Sequence, residues 1–193
     1  MSRLTRITPF FALVIAIAPA VLAQGKLDST GQRFVSEKYQ FSIAIPRGWG
    51  ASFDRDTPLF VSYPASRALP QGKLPLGGAN ISIVPLDAYH STKTLTLNEW
   101  ATADARGDFA HSTPVRELEM PPESGVVAAI ISSHDTPTFG PDDQAQHTVN
   151  VFWKFNGNLF AAHLFYPAHD AKGPGFEKVF LDTLRSIRPS RRE

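Results

Sequence analysis

Six histidines, His90, His111, His134, His147, His163 and His169, are the side chains of this sequence best suited to chemistry near neutral pH. His134 closes one strand-like run and His147 opens the next, so pairing of those runs across residues 135–146 brings two imidazoles to one end of a sheet. Asp135, with Asp142 or Asp143, adds carboxylates. Imidazole and carboxylate together suit zinc or another borderline metal, which would activate water in a metal-dependent hydrolase. The spacing fits neither pair of histidines four apart on a helix nor the zincin motif. The plainer expectation is polar residues flanking a surface loop, with no metal or other cofactor, and His134, His147 and Asp135 as the candidates if one binds.

His163 alternates away from Leu164. In a hairpin turning at Asn156-Gly157 it lies across from Asn150, with Phe152 and Phe165 nearby. That pair either lines a pocket on the less apolar face of the sheet or is a satisfied histidine beneath a helix, and the second reading is the simpler. Nucleophilic catalysis finds no support, since the chain has no cysteine and no Gly-x-Ser-x-Gly elbow. Acidic residues are scattered rather than coupled as glycoside hydrolysis requires, and neither phosphate-binding glycine motif occurs. No catalytic residue is expected.

Residues 64–78 contain Pro64, Pro70, Pro75, Gly72, Gly77 and Gly78, a composition that neither a helix nor a central strand accepts. The loop is uncharged apart from Arg67 and Lys73, and it carries Leu69, Leu74 and Leu76. Loops of this length are commonly functional, so these leucines are the expected contacts for a protein partner or a small apolar ligand. Arg106-Gly107-Asp108 spells an adhesion tripeptide, but it falls where a helix needs a glycine to stop.

The elements that position these residues follow from periodicity. Asn156-Gly157 is the dipeptide that best accepts a type I′ turn, and the flanking runs then pair Phe155 with Asn158, Trp153 with Phe160, Val151 with Ala162 and Val149 with Leu164. Phe176, Val179, Phe180, Leu184 and Ile187 recur at helical intervals, with Glu177, Lys178, Asp182, Arg185 and Arg188 opposite, which predicts a helix over 174–188. Strands are expected at 39–45, at 59–63 near an edge, at 79–86, and as a hairpin from 115–120 and 126–133. Thr96 and Glu99 form a capping box opening a second helix over 96–107, with Trp100 and Ala101 on its buried side. Trp49, Trp100 and Trp153 all fall on apolar faces and read as core.

Arg3 and Arg6, an apolar run from Pro9 to Ala18 and a small-residue site at Val21-Leu22-Ala23 have the layout of a secretory signal peptide, residues 1–23. The run is shorter than the roughly 20 residues that span a bilayer, and no membrane span is expected after cleavage. Without Arg3 and Arg6 the 19 basic residues become 17 against 18 acidic ones. No basic patch argues for nucleic acid. Lacking disulfides and a lipoprotein cysteine, the exported chain must rely on its core.

Three pieces carry a resemblance: residues 39–49, an aromatic strand ending in Ile-Pro-Arg-Gly-Trp; residues 153–160 on the late hairpin; and the closing helix that ends at Leu184-Arg-Ser-Ile-Arg188. Together they resemble the superfamily of the photosystem protein PsbP, the Ran-binding Mog-type proteins and exported bacterial domains such as DcrB, over residues 34–189. The resemblance implies an α+β fold, a central antiparallel sheet packed by two main helices, in a mostly non-enzymatic group of accessory and binding proteins. It carries over neither a catalytic set nor a ligand site. The expectation is thus a signal peptide (1–23), a flexible lead (24–33) and one α+β domain (34–189), acting as a periplasmic or secreted accessory or binding protein. The alternative is a metal-dependent hydrolase using His134 and His147.

Overall fold

The centre of the molecule is the hairpin of β9 (Gln146–Phe155) and β10 (Asn158–Pro167) in a computed structural model that describes residues 25–54, 56–69, 73–86, 96–105, 112–136 and 144–190. Asn156 and Gly157 adopt φ of 47° and 77°, the positive values a type I′ turn needs. The register pairs Phe155 with Asn158, Trp153 with Phe160, Val151 with Ala162 and Val149 with Leu164, as the alternation predicts.

Around it lie β4 (Gly50–Asp54), β5 (Thr57–Val61), β6 (Asn80–Pro85), β7 (Arg116–Glu117) and β8 (Val126–Asp135). They complete a 7-stranded antiparallel sheet in the order β4-β5-β6-β10-β9-β8-β7. A second, 4-stranded sheet joins β1 (Lys26–Leu27), β2 (Arg33–Ser36), β3 (Phe41–Ala44) and β11 (Arg188–Pro189). This second sheet corrects the expectation of one central sheet. The alternation of Tyr39, Phe41 and Ile43 is real, and all three are buried. Strand β3 nevertheless pairs with β2 and with the chain's end at β11, and lays its apolar face over the larger sheet instead of extending it. Within the stretch expected as a flexible lead, Lys26–Leu27 form β1, and Asp28 accepts hydrogen bonds from the amides of Gln32 and Arg33.

Two helices pack on opposite faces of the larger sheet. Helix α2 (Gly173–Arg185) buries Phe176, Phe180 and Leu184, followed by Ile187, against the face that carries Trp153, Phe160 and Leu164. Each such side chain taken from water stabilises the fold by roughly 1.5–3 kcal/mol. Trp153 and Phe160 stack at 5.2 Å, and Tyr39 meets Phe160 edge-on at 5.1 Å, which fixes the small sheet to the large one. Ser186 tethers the end of α2: its hydroxyl accepts from the Ala44 amide at 2.8 Å, and its carbonyl accepts from Arg33 at 2.6 Å.

On the other face lies α1 (Leu97–Ala105), whose Ala101 is buried beside Ile130, Phe152 and Ala161. The capping box forms as expected, with the Glu99 amide donating to Thr96 Oγ1 at 3.2 Å and the Thr96 amide to Glu99 Oε2 at 2.6 Å. That backbone bond from Thr96 holds the Glu99 carboxyl below its ordinary value. With eleven strands and two α-helices among the described residues, the fold is α+β but dominated by sheet. No helix among them is long and apolar enough to cross a membrane. The proposed leader at 1–23, the tripeptide at 106–108, His90, His111, Asp142 and Asp143 lie outside the described residues.

Candidate functional site

One end of the larger sheet gathers the close of β8, the start of β9, the close of β10 and the start of β6, and with them the described part of the loop that follows β5. The loop following β5 is closed at its base by Ser62 and Ala79. The Ser62 amide donates to the Ala79 carbonyl at 3.0 Å, and the Ala79 amide donates to Ser62 Oγ at 2.7 Å. Within it Ala65–Arg67 form a 3-10 turn, and the Arg67 guanidinium donates to the Leu76 carbonyl at 2.8 Å.

Two outside anchors hold this loop. The Gln144 side chain accepts from the Leu74 amide and donates to the Leu74 carbonyl, both at 2.8 Å, as a paired strand would. Asp170, in the turn between β10 and α2, accepts from the Gly77 amide at 2.6 Å and from the Lys172 amide at 2.9 Å. A carboxylate there also faces the positive end of α2. Gly77 itself has φ of 69°, which a residue with a side chain adopts only under strain.

The three leucines separate on this frame. Leu69 and Leu76 are 45% and 76% exposed, whereas Leu74, expected as a surface contact, is buried. Gln144 holds the Leu74 backbone from a distant part of the chain, and the Leu74 side chain is buried. No alternation within a loop signals this, because the partner lies far away in sequence. Residues 70–72 lie outside the described residues.

The histidine pair corrects the sequence expectation. Strands β8 and β9 do pair as expected, but His134 is in register with Thr148 and Asp135 with His147. Successive residues of a strand point to opposite faces, so the two imidazoles face away from each other across the sheet. Asp135 and His147 do meet: His147 Nδ1 donates to Asp135 Oδ1 at 2.6 Å. On its other side His147 Nε2 lies 3.9 Å from Glu177 Oε1 of α2, and that same oxygen accepts from the Tyr166 hydroxyl at 2.6 Å.

Asp135, His147, Glu177 and Tyr166 thus form a chain of polar contacts tying β8, β9 and β10 to α2. A catalytic triad needs a hydroxyl or thiol at the far nitrogen of the histidine; here a carboxylate occupies that side, and the phenol beyond it is a donor. Burial first, and then the bond to Glu177, push the Tyr166 phenol well above its ordinary value, so it stays protonated and donating. Among the described residues no group of three or more His, Cys, Asp or Glu is arranged to hold a metal ion. The cluster fastens the helix to the sheet.

On the opposite face, His163 Nδ1 donates to Asn150 Oδ1 at 2.7 Å, and the His163 ring stacks on Phe165 at 5.9 Å. The imidazole is a satisfied group, as the simpler reading has it. Beside it Ser132, Thr148 and Asn150 are buried on the same face. The Ser132 and Thr148 hydroxyl oxygens have no hydrogen-bond partner among the described residues.

Sequence reasoning missed Gln144, Asp170, Tyr166 and Glu177. Gln144, Asp170 and Glu177 act on segments remote in sequence, Tyr166 reaches the next element, and only Glu177 carried a local signal, its place on the polar side of the predicted helix.

The chain matches no family model and none of the curated proteins. Among solved structures it is similar to a protein of unknown function from Pseudomonas aeruginosa, at 15% identity over 78% of this chain and 92% of the other, TM-score 0.47. A Bacteroides thetaiotaomicron protein aligns at 14% identity over 84% of this chain and 49% of its own, TM-score 0.48. The Ran-binding protein Mog1p of Saccharomyces cerevisiae, of the kind the sequence motifs resemble, aligns at 8% identity over 86% and 94%, TM-score 0.42. At such identities and scores these likenesses assign no function to this chain.

Proposed function

We propose that the chain is an exported, non-enzymatic accessory protein that binds a protein partner through the loop after β5. The observation that carries this reading is the exposure of Leu76, 76%, on a loop pinned at Leu74 by Gln144 and at Gly77 by Asp170. An apolar side chain held outward on an ordered backbone loses little further entropy on docking. A protein surface suits it better than a small apolar ligand, which needs a concave apolar pocket. The positions of this loop that face inward, Leu74, Pro75 and Gly78, are already buried in the protein. Export rests on the basic, apolar and small-residue layout of residues 1–23.

Site-specific photocrosslinking from position 76 in living cells tests the reading, with exposed Glu37 as the control position. A discrete adduct from position 76, whose purified component loses affinity about tenfold on Leu76→Asp as a central apolar contact would, is the expected result. Crosslinks of equal intensity from both positions would sink it. Amino-terminal sequencing of the exported protein is expected to begin at Gln24, and an uncut chain retained in the cytoplasm would refute export.

A further inference from the structure

A second surface lies at the far end of the larger sheet, where β9 turns into β10. A groove of about 1060 Å³ runs between the start of α1 and strand β7, and Ile130, Leu159 and Leu97 line it. At its rim the register of β8 shifts between Val126 and Ala128, and Val127 is left 78% exposed. Glu117 and Glu119 also line the groove, against one cation, Lys154, so its charged lining is net acidic. Neither carboxylate has an ion-pair partner among the described residues.

We propose that this groove binds an extended peptide segment of a partner in which basic and apolar residues alternate. Glu117 ends β7 and Glu119 follows two residues on, with the Leu118 amide between them still bonded to the Ala129 carbonyl at 2.9 Å along the edge of the sheet. Chain paired in this way sets side chains two residues apart about 7 Å from each other along one side. An extended peptide repeats its own side chains at the same interval. Basic residues at every second position therefore meet both carboxylates, while the intervening apolar residues turn toward Leu97 and Leu159. An acidic peptide is repelled by the same wall, and so are nucleic acid and an anionic membrane surface. The groove lies at the opposite end of β9 and β10 from the loop of the proposed function and does not depend on that reading.

Fluorescence anisotropy tests it with a labelled peptide alternating arginine and leucine, beside an alternating glutamate and leucine peptide and an arginine–leucine peptide of the same composition in two blocks. The alternating basic peptide is expected to bind at least about tenfold more tightly than either of the others. The double substitution Glu117→Lys and Glu119→Lys should lose that binding with an unchanged melting temperature, since both side chains are exposed. Glu117→Gln with Glu119→Gln should lose it in part, and Leu76→Asp should retain it. Absence of binding, equal binding of the block or acidic peptide, or binding untouched by charge reversal would each overturn the proposal.

Discussion

The side-chain amide of Gln144 clasps the backbone of Leu74 through two hydrogen bonds of 2.8 Å, one accepted and one donated. Among the described residues no strand joins the two segments, so this one side chain replaces a rung of sheet. Gln144→Ala leaves the Leu74 amide and carbonyl unpaired beside a buried side chain, and stability should fall by about 1–2 kcal/mol. Gln144→Glu keeps the acceptor but sets a carboxylate against the Leu74 carbonyl, and should recover little. Hydrogen exchange at the Leu74 amide reads the effect directly. Protection unchanged in Gln144→Ala would show that the loop is held by other contacts.

Tyr166 gives the fold an alkaline limit. Its hydroxyl donates to Glu177 at 2.6 Å, and burial, then that bond, raise its folded pKa above the ordinary 10.0. A group whose folded pKa is raised contributes stability that is complete below its unfolded pKa and is lost as pH rises toward the folded value. Stability should therefore decline above about pH 10, and the phenolate absorbance of Tyr166 should appear together with unfolding. Tyr166→Phe should cost about 1 kcal/mol at neutral pH and flatten the alkaline decline. An equally steep decline in the variant would assign the limit to other groups.

Much of this fold is legible because its strongest signals are local. Asn156-Gly157 dictates the turn, and once the turn is placed the register of Trp153 with Phe160 follows by counting. Phe176, Phe180 and Leu184 specify a helix and its buried side within one segment. The second sheet is not legible in this way, because Phe41 and Ser42 pair with Pro189 and Arg188 from the other end of the chain. The candidate site suffers more from the same difficulty. Sequence spacing places His134 and His147 at neighbouring strand ends, but only the register decides that one faces Thr148 and the other Asp135. A shift of one residue between the two strands would have put both imidazoles on one face.

Thr148 tests the buried polar face of the sheet. It is 3% exposed, and its hydroxyl has no hydrogen-bond partner among the described residues. An unpaired buried hydroxyl costs about 1–3 kcal/mol relative to solvation, so Thr148→Val, which keeps the branched shape, should be neutral or stabilising by up to about 1 kcal/mol. Denaturant unfolding measures the difference. A loss of more than about 1 kcal/mol would show instead that the hydroxyl is paired in solution.

Glycines in two settings separate steric packing from backbone freedom. At Gly78 a β-carbon would lie 2.8 Å from Pro75 Cγ, 2.8 Å from Tyr63 Cδ1 and 2.9 Å from the Pro75 carbonyl oxygen. Two of those atoms belong to one rigid proline, so Gly78→Ala must displace the loop and should cost about 1–3 kcal/mol. Gly175, in the first turns of α2, has nothing within 4 Å of the same position. There alanine removes unfolded-state freedom without a clash, and Gly175→Ala should stabilise by about 0.5–1 kcal/mol. The pair also reaches the proposed function. Displacing the loop moves Leu76 from its anchored position, so Gly78→Ala should weaken the position-76 crosslink while Gly175→Ala leaves it intact. Equal crosslinking in both variants would mean that the partner does not depend on the loop's fixed shape.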